Sequence, residues 1–197
     1  MDGPVTHVPP GAPVRLNGSQ LRLGPNAGAI ALSRMALHDP VLPTLAPGQA
    51  LALARTLSAA MPAWGDETLW HRTQALMTAI SENAGLDGAV ERLVGLGPGL
   101  TPSGDDFLAG MLAALQSTDE PGAAPLGAAI SRHLDRTTLL SRHFLMWGVQ
   151  RRYGETIRSV FASAGGTAAV EALLTTGATS GADTAAGICA GLNMTYA

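Results

Sequence analysis

Apolar and polar residues alternate along Pro13-Val14-Arg15-Leu16-Asn17-Gly18-Ser19-Gln20-Leu21-Arg22-Leu23, on both sides of an Asn-Gly pair. Period-two alternation around Asn-Gly predicts a β-hairpin, because two residues with positive φ match the twist of the flanking strands. Ala29-Ile30-Ala31-Leu32 is expected to extend that sheet before Pro40 and Pro43 interrupt the pattern. From Gly48 the spacing becomes helical. Ala50, Leu51, Leu53, Ala54, Leu57 and Ala60 form one stripe, and Asp66 is placed to cap a helix carrying Leu69, Trp70, Thr73, Leu76, Met77 and Ile80.

Further helices are expected at Gly88–Val94, Asp105–Gln116, Ala124–His133, Thr137–Arg151, Glu155–Ala164, Thr167–Thr175 and Ala182–Leu192. The predicted fold class is therefore α+β, predominantly α. A small N-terminal β-hairpin or sheet within residues 1–45 packs on a C-terminal helical bundle over 46–197 that carries the Gly-rich motifs.

Composition sharpens this picture. Hydrophobic residues make up 46% of the chain and aromatic residues only 4%, so the apolar share is mostly Ala, Leu and Val, which suits closely approaching helices. The net charge of −3 and the scattered basic residues leave no electrostatic footprint for nucleic acid or an anionic membrane. All 12 basic residues counted as Lys or Arg are arginines. Without lysine, Schiff-base chemistry and a Walker-type phosphate loop are excluded, whereas guanidinium recognition of carboxylate or phosphate stays available.

The single cysteine, Cys189, excludes an internal disulfide and reads as a small buried thiol. Met1 to Val14 lacks the basic and apolar regions of a secretory signal, and the apolar run Phe107–Leu115 is too short to span a bilayer. A soluble, cytoplasmic protein is expected.

Candidate chemistry concentrates in Gly95-Leu96-Gly97-Pro98-Gly99-Leu100-Thr101-Pro102-Ser103-Gly104-Asp105-Asp106, which opens a helix. Gly95, Gly97 and Gly99 allow an anion to approach main-chain N–H groups, Thr101 and Ser103 add hydroxyls, and the first helical turn presents unpaired donors. Asp105 and Asp106 are either caps that satisfy the helix dipole, or a substrate-facing acceptor or general base, or ligands of a divalent cation. No cofactor is identified beyond that open cation reading.

The pattern S-G-x-D-x-x-x-G occurs twice, at Ser103–Gly110 and Ser180–Gly187, with Gly99 and Thr101 upstream of the first copy and Gly177 and Thr179 upstream of the second. Two related loop-to-helix elements in one bundle are expected. Between them, Asp135-Arg136-Thr137-Thr138-Leu139-Leu140-Ser141-Arg142 offers Thr137 or Thr138 as an N-cap, with Arg136 and Ser141 beside it. This is either an oxyanion site or a capped helix with solvated arginines. His7, His38, His71, His133 and His143 lack metal-ligand spacing. Met35, Met77, Met111 and Met146 read as core, and Trp64 and Trp70 as interior packing.

Gly97 to Gly110, Thr137-Thr138-x-x-Ser141 and Gly177-x-Thr179-Ser180-Gly181-x-Asp183-x-x-x-Gly187 together resemble the AllH family of oxamate carbamoyltransferase subunits. The resemblance implies a subunit of a multi-protein transferase that works with carbamoyl phosphate and oxamate or oxalurate in allantoin nitrogen catabolism. It also implies a small anionic substrate and no covalent enzyme nucleophile. On that reading Asp106 and Asp183 position the substrate as catalytic residues. Gly97, Gly99, Thr101, Ser103, Gly104, Asp105, Arg136, Thr137, Thr138, Ser141, Thr179, Ser180 and Gly181 bind substrate or phosphate. The competing expectations are a non-catalytic metabolite-binding or scaffold subunit, and a structural protein whose glycines serve only close helix crossing.

Overall fold

The computed structural model describes residues 8–24, 28–35, 38–61 and 64–196; His7 lies outside them. The chain divides into two compact units, residues 1–39 and 40–197.

In the first unit, β1 (Val14–Asn17), β2 (Gln20–Leu23) and β3 (Ala29–Ala31) form an antiparallel sheet in the order β1-β2-β3. Leu16 faces Leu21 and Arg15 faces Arg22, and Leu21 pairs onward with Ile30. The two-residue connection is Gly18-Ser19, with Gly18 at φ 55°, so Asn17 closes β1 and the turn is displaced by one residue from Asn-Gly. Met35 is 60% exposed, which corrects its expected place in a core.

The second unit is helical. Its elements are α1 (Pro47–Ala60), α2 (Glu67–Ser81), α3 (Leu86–Glu91), α4 (Ser103–Ser117), α5 (Ala123–Arg132), α6 (Leu139–Val149), α7 (Glu155–Ala162), α8 (Thr167–Leu174) and α9 (Ser180–Tyr196). Local chemistry sets several starts. The Asp66 carboxylate accepts from Leu69 N at 2.8 Å, and the Thr138 hydroxyl accepts from Ser141 N at 3.1 Å. Thr138 rather than Thr137 is thus the N-cap of α6.

Helix α4 is the axis of the unit and is buried almost throughout, with Leu108, Met111 and Leu112 fully enclosed. One apolar cluster joins α4 to α2, α3, α5 and α6 through Leu76, Val90, Leu126, Ile130 and Leu145. A second joins α1, α7, α8 and α9 through Leu53, Leu57, Phe161, Val170 and Ile188. Each enclosed Leu contributes roughly 2–3 kcal/mol of transfer free energy. Between α4 and α6, Tyr153 OH donates to Gln116 Oε1 at 2.9 Å and Gln116 Nε2 donates to the Gly148 carbonyl at 3.0 Å, which satisfies the buried amide.

Helices α4 and α9 meet backbone to backbone. A Cβ on Gly110 would collide with the Thr184 carbonyl, and one on Gly187 with the Phe107 carbonyl. The contact is reciprocal, since Phe107 and Thr184 occupy the same place in the two sequence repeats. Absence of a side chain at these two glycines is what lets the repeated elements pack as a pair.

Met111 is fully buried and Met77 partly buried, as expected of core methionines, but Met146 is 41% exposed on α6. Trp70 is 51% exposed, which corrects its expected interior position. Cys189 is a buried free thiol beside Ser58 Oγ at 3.2 Å.

Candidate functional site

The loops that lead into α4 and α9 are built alike. Leu96 N donates to Leu93 O and Gly104 N to Leu96 O before α4; Thr176 N donates to Leu173 O and Gly181 N to Thr176 O before α9, all four at 2.9 Å. A Cβ on Gly104 would strike the Leu93 carbonyl, and one on Gly181 the Leu173 carbonyl. Glycine is required at both positions for close approach. The first loop is longer, and its extra residues include Gly97, whose φ of 112° disfavours any side chain and whose Cβ would crowd Ser103 N. Gly99 has open space around it and sits at φ 93°.

This geometry alters the anion-donor expectation. The N–H groups of Gly104 and Gly181 are engaged by loop carbonyls, and Asp105 N and Asp106 N both donate to the Pro102 carbonyl. The helix starts are therefore not an open ring of donors. They present side chains instead.

Asp105 and Asp106, adjacent in sequence, have opposite surroundings. The Asp105 carboxylate accepts from Gly95 N at 2.9 Å, from Ser141 Oγ at 2.7 Å and from Thr137 Oγ1. It is a buried clamp that joins the glycine loop to the start of α6, and it occupies the hydroxyls of both Thr137 and Ser141. Thr138 Oγ1 donates to the Leu100 carbonyl on the same seam. Asp105, Thr137, Thr138 and Ser141 are thus brought together, and their polar groups face one another.

Asp106 and Asp183 are the equivalent carboxylates of the two repeats, both buried. Oδ2 of each is enclosed and has no hydrogen-bond partner among the described residues. Burial pushes the Asp106 carboxyl up to about 7; the Ser180 hydroxyl opposes this, the nearby Asp183 carboxylate adds to it, and the Thr101 hydroxyl opposes it. Thr101 Oγ1 and Ser180 Oγ lie 2.7 Å apart, joining the two motifs beside this acid. Asp183 Oδ1 accepts from the Trp64 indole N–H at 2.7 Å, and the Trp64 ring stacks on Phe107 with centroids 5.3 Å apart.

A cleft of about 310 Å³ opens onto Asp183, bounded also by Met61, Trp64, Asp66, Ser103 and Thr179, and Asp106 lies behind it, away from the cleft wall. Sequence reasoning missed Trp64 as a site residue. It lies 119 positions from Asp183, and only its place just before the Asp66 cap set it apart.

Arg136 is placed elsewhere. Its Nη1 lies 3.2 Å from Glu91 Oε1, in a separate cleft with Arg72 and Arg92. Among the described residues no group of three or more His, Cys, Asp or Glu could hold a metal ion. The side-chain oxygen donors that line the cleft are the Asp66 and Asp183 carboxylates and the Ser103 and Thr179 hydroxyls. No helix among the described residues is long and apolar enough to cross a membrane.

Fold and site together define a predominantly helical protein whose paired glycine-packed loop–helix elements enclose two buried carboxylates. The family described as oxamate carbamoyltransferase subunit AllH matches residues 93–192, just over half of the chain, and the protein belongs to that family. The matched span runs from the loop before α4 into α9 and contains both repeats; Trp64 lies outside it. No solved structure matches the chain.

Proposed function

We propose that this chain supplies the pocket that holds the carbamoyl or oxamate amide group in an oxamate carbamoyltransferase, with Asp106 and Asp183 as its catalytic pair. The observation that carries this reading is the two enclosed carboxylate oxygens without partners. An amide or ureido group offers N–H donors, and a buried acceptor left unpaired costs about 1–3 kcal/mol that such a donor recovers. The Thr101 and Ser180 hydroxyls lie against Asp106 and the Ser103 and Thr179 hydroxyls line the cleft with Asp183, and both sets suit the carbonyl oxygens of the same substrate.

Asp106, with its carboxyl held near 7, exchanges a proton at neutral pH. In the synthetic direction the oxamate amide nitrogen attacks the carbonyl carbon of carbamoyl phosphate. The N–C bond forms, the amide proton passes to Asp106, and phosphate leaves. In phosphorolysis, a phosphate oxygen attacks the ureido carbon of oxalurate. The C–N bond then breaks, and the oxamate nitrogen recovers the proton from Asp106.

A dianionic phosphate is disfavoured beside two carboxylates, so Asp106 and Asp183 define the amide end of the reaction. The test is turnover of oxalurate and phosphate by the assembled transferase. Asp106→Asn lowers kcat by about 10²-fold or more in this account, and an unchanged rate refutes it.

The chain acts with other subunits through α6. Leu139, Leu140, Phe144 and Trp147 are all exposed there, and Leu100 beside them is 71% exposed. An apolar face of this kind marks a protein interface. Helix α6 contains no acidic residue, and the Arg152 guanidinium stands over the Trp147 ring at 5.3 Å. Two copies of this face would oppose like charges, so the occupant is a different subunit with an apolar patch rimmed by acids. Phe144→Glu with Trp147→Glu abolishes co-purification with that subunit; retained assembly removes α6 from the interface.

A further inference from the structure

The positive charge expected near the glycine loop gathers on its other side. A cleft of about 430 Å³ is lined by Arg72, Glu91, Arg92, Gly95, Leu96 and Arg136 among its residues. Its three arginines come from α2, from the residue after α3 and from the turn before α6. Arg72 Nη1 donates to the Arg92 carbonyl at 2.5 Å, which fixes the Arg72 side chain across the cleft. Arg136 is held by Glu91 at 3.2 Å. The Arg92 guanidinium makes no hydrogen bond or ion pair with any described residue. Three arginines and a single carboxylate thus border the cleft.

We infer that the Arg72–Arg92–Arg136 cleft is a binding site for a small doubly charged oxyanion of the phosphate or planar dicarboxylate kind. Guanidinium forks match such ligands with paired N–H donors. One of these three forks is already fixed by a backbone carbonyl, and another carries no partner. Glu91 leaves the cleft with a net charge of about two positive, which a dianion balances and a single carboxylate does not. The wall at Gly95 is rigid: its N–H is held by Asp105, and a Cβ there would press on the Arg136 carbonyl. The inference stands on the guanidinium cluster and not on the amide reading of Asp106 and Asp183.

Isothermal titration of the full chain with inorganic phosphate, and separately with oxalate, at constant ionic strength tests it. Saturable binding of either anion is expected, and the anion that binds tighter identifies the class. Arg92→Gln with Arg136→Gln weakens that binding at least tenfold, while Asp106→Asn leaves it within twofold. Both arginines are solvent-exposed, so an unchanged thermal midpoint shows that the double variant is folded; Arg92→Gln alone, weakening binding several-fold, serves if it is not. No saturable heat with either anion, equal affinity in the arginine variants, or loss of binding in Asp106→Asn would overturn the assignment. The last of these places the anion at the carboxylate pair instead, while an unchanged turnover rate in Asp106→Asn with intact anion binding refutes only the amide pocket.

Discussion

Thr101 Oγ1 and Ser180 Oγ stand 2.7 Å apart, and this hydroxyl contact ties the loop before α4 to the first turn of α9. Both hydroxyls act on Asp106 in the direction of its charged form. Removing either one leaves burial and the Asp183 charge less opposed. Ser180→Ala and Thr101→Val are each expected to raise the Asp106 pKa above about 7, Ser180→Ala by the larger step because its hydroxyl is the stronger influence. Carbon-detected NMR titration of the Asp106 carboxyl reads the shift directly, and a fall in pKa contradicts the account.

The elevated Asp106 pKa also sets a pH dependence of stability. The carboxyl titrates near 3.8 ordinarily and near 7 in the folded protein. Between these values the unfolded chain has released the proton while the folded chain retains it, so folding stability falls as pH rises from about 4 to about 7 and then levels. Asp106→Asn removes this pH dependence. Its stability relative to the parent should climb through the same window by about 2–4 kcal/mol. Urea denaturation at pH 4.5 and pH 8 checks the difference; equal relative stability at both pH values is the contrary result.

Asp105 should behave as a structural residue. Its carboxylate serves Gly95 N, Thr137 and Ser141 together, so Asp105→Ala leaves buried donors unpaired and is expected to cost about 3 kcal/mol or more. Thermal unfolding measures the loss, and a midpoint within a degree of the parent excludes the clamp.

The α4–α9 contact makes a steric prediction. Gly187→Ala places a Cβ against the Phe107 carbonyl, and Gly110→Ala places one against the Thr184 carbonyl. Each forces the helices apart at a cost of about 1–3 kcal/mol. Because both act on one seam, the double variant should depart from additivity in a double-mutant cycle. Strict additivity implies that the helices do not meet there.

What could be read from the chain beforehand was local. The Asp66 and Thr138 caps, the three-strand sheet and the existence of α4 and α9 follow from spacing within one or two turns of helix, although both helices begin two residues before the expected Asp105 and Ala182. The repeat of S-G-x-D-x-x-x-G announced a paired element because both copies carry their glycines in register. Burial was less legible. Trp70 and Met146 sit within apolar periodicity, yet they face outward because that periodicity cannot say which side of a helix meets a neighbour.

Long-range chemistry was hidden for the same reason. Trp64 reaches Asp183 across the fold, and Arg136 joins Arg72 and Arg92 rather than the helix starts, through contacts that no local spacing encodes. The glycine-rich loop suggested free N–H donors, but Leu96 and Thr176 turn their carbonyls back onto Gly104 and Gly181. Sequence alone does not show which partner a backbone donor takes.

The central proposal is that Asp106 exchanges the proton at the amide end of the substrate, with the Asp183 carboxylate beside it. The most direct measurement is the pH profile of kcat/KM for oxalurate phosphorolysis by the assembled transferase carrying parent, Asp106→Asn or Asp183→Asn chains. An inflection near pH 7 is expected in the parent. In Asp183→Asn the inflection moves to lower pH, because the neighbouring negative charge is gone, and in Asp106→Asn it disappears together with most of the rate. A parent inflection that persists unmoved in both variants would contradict it.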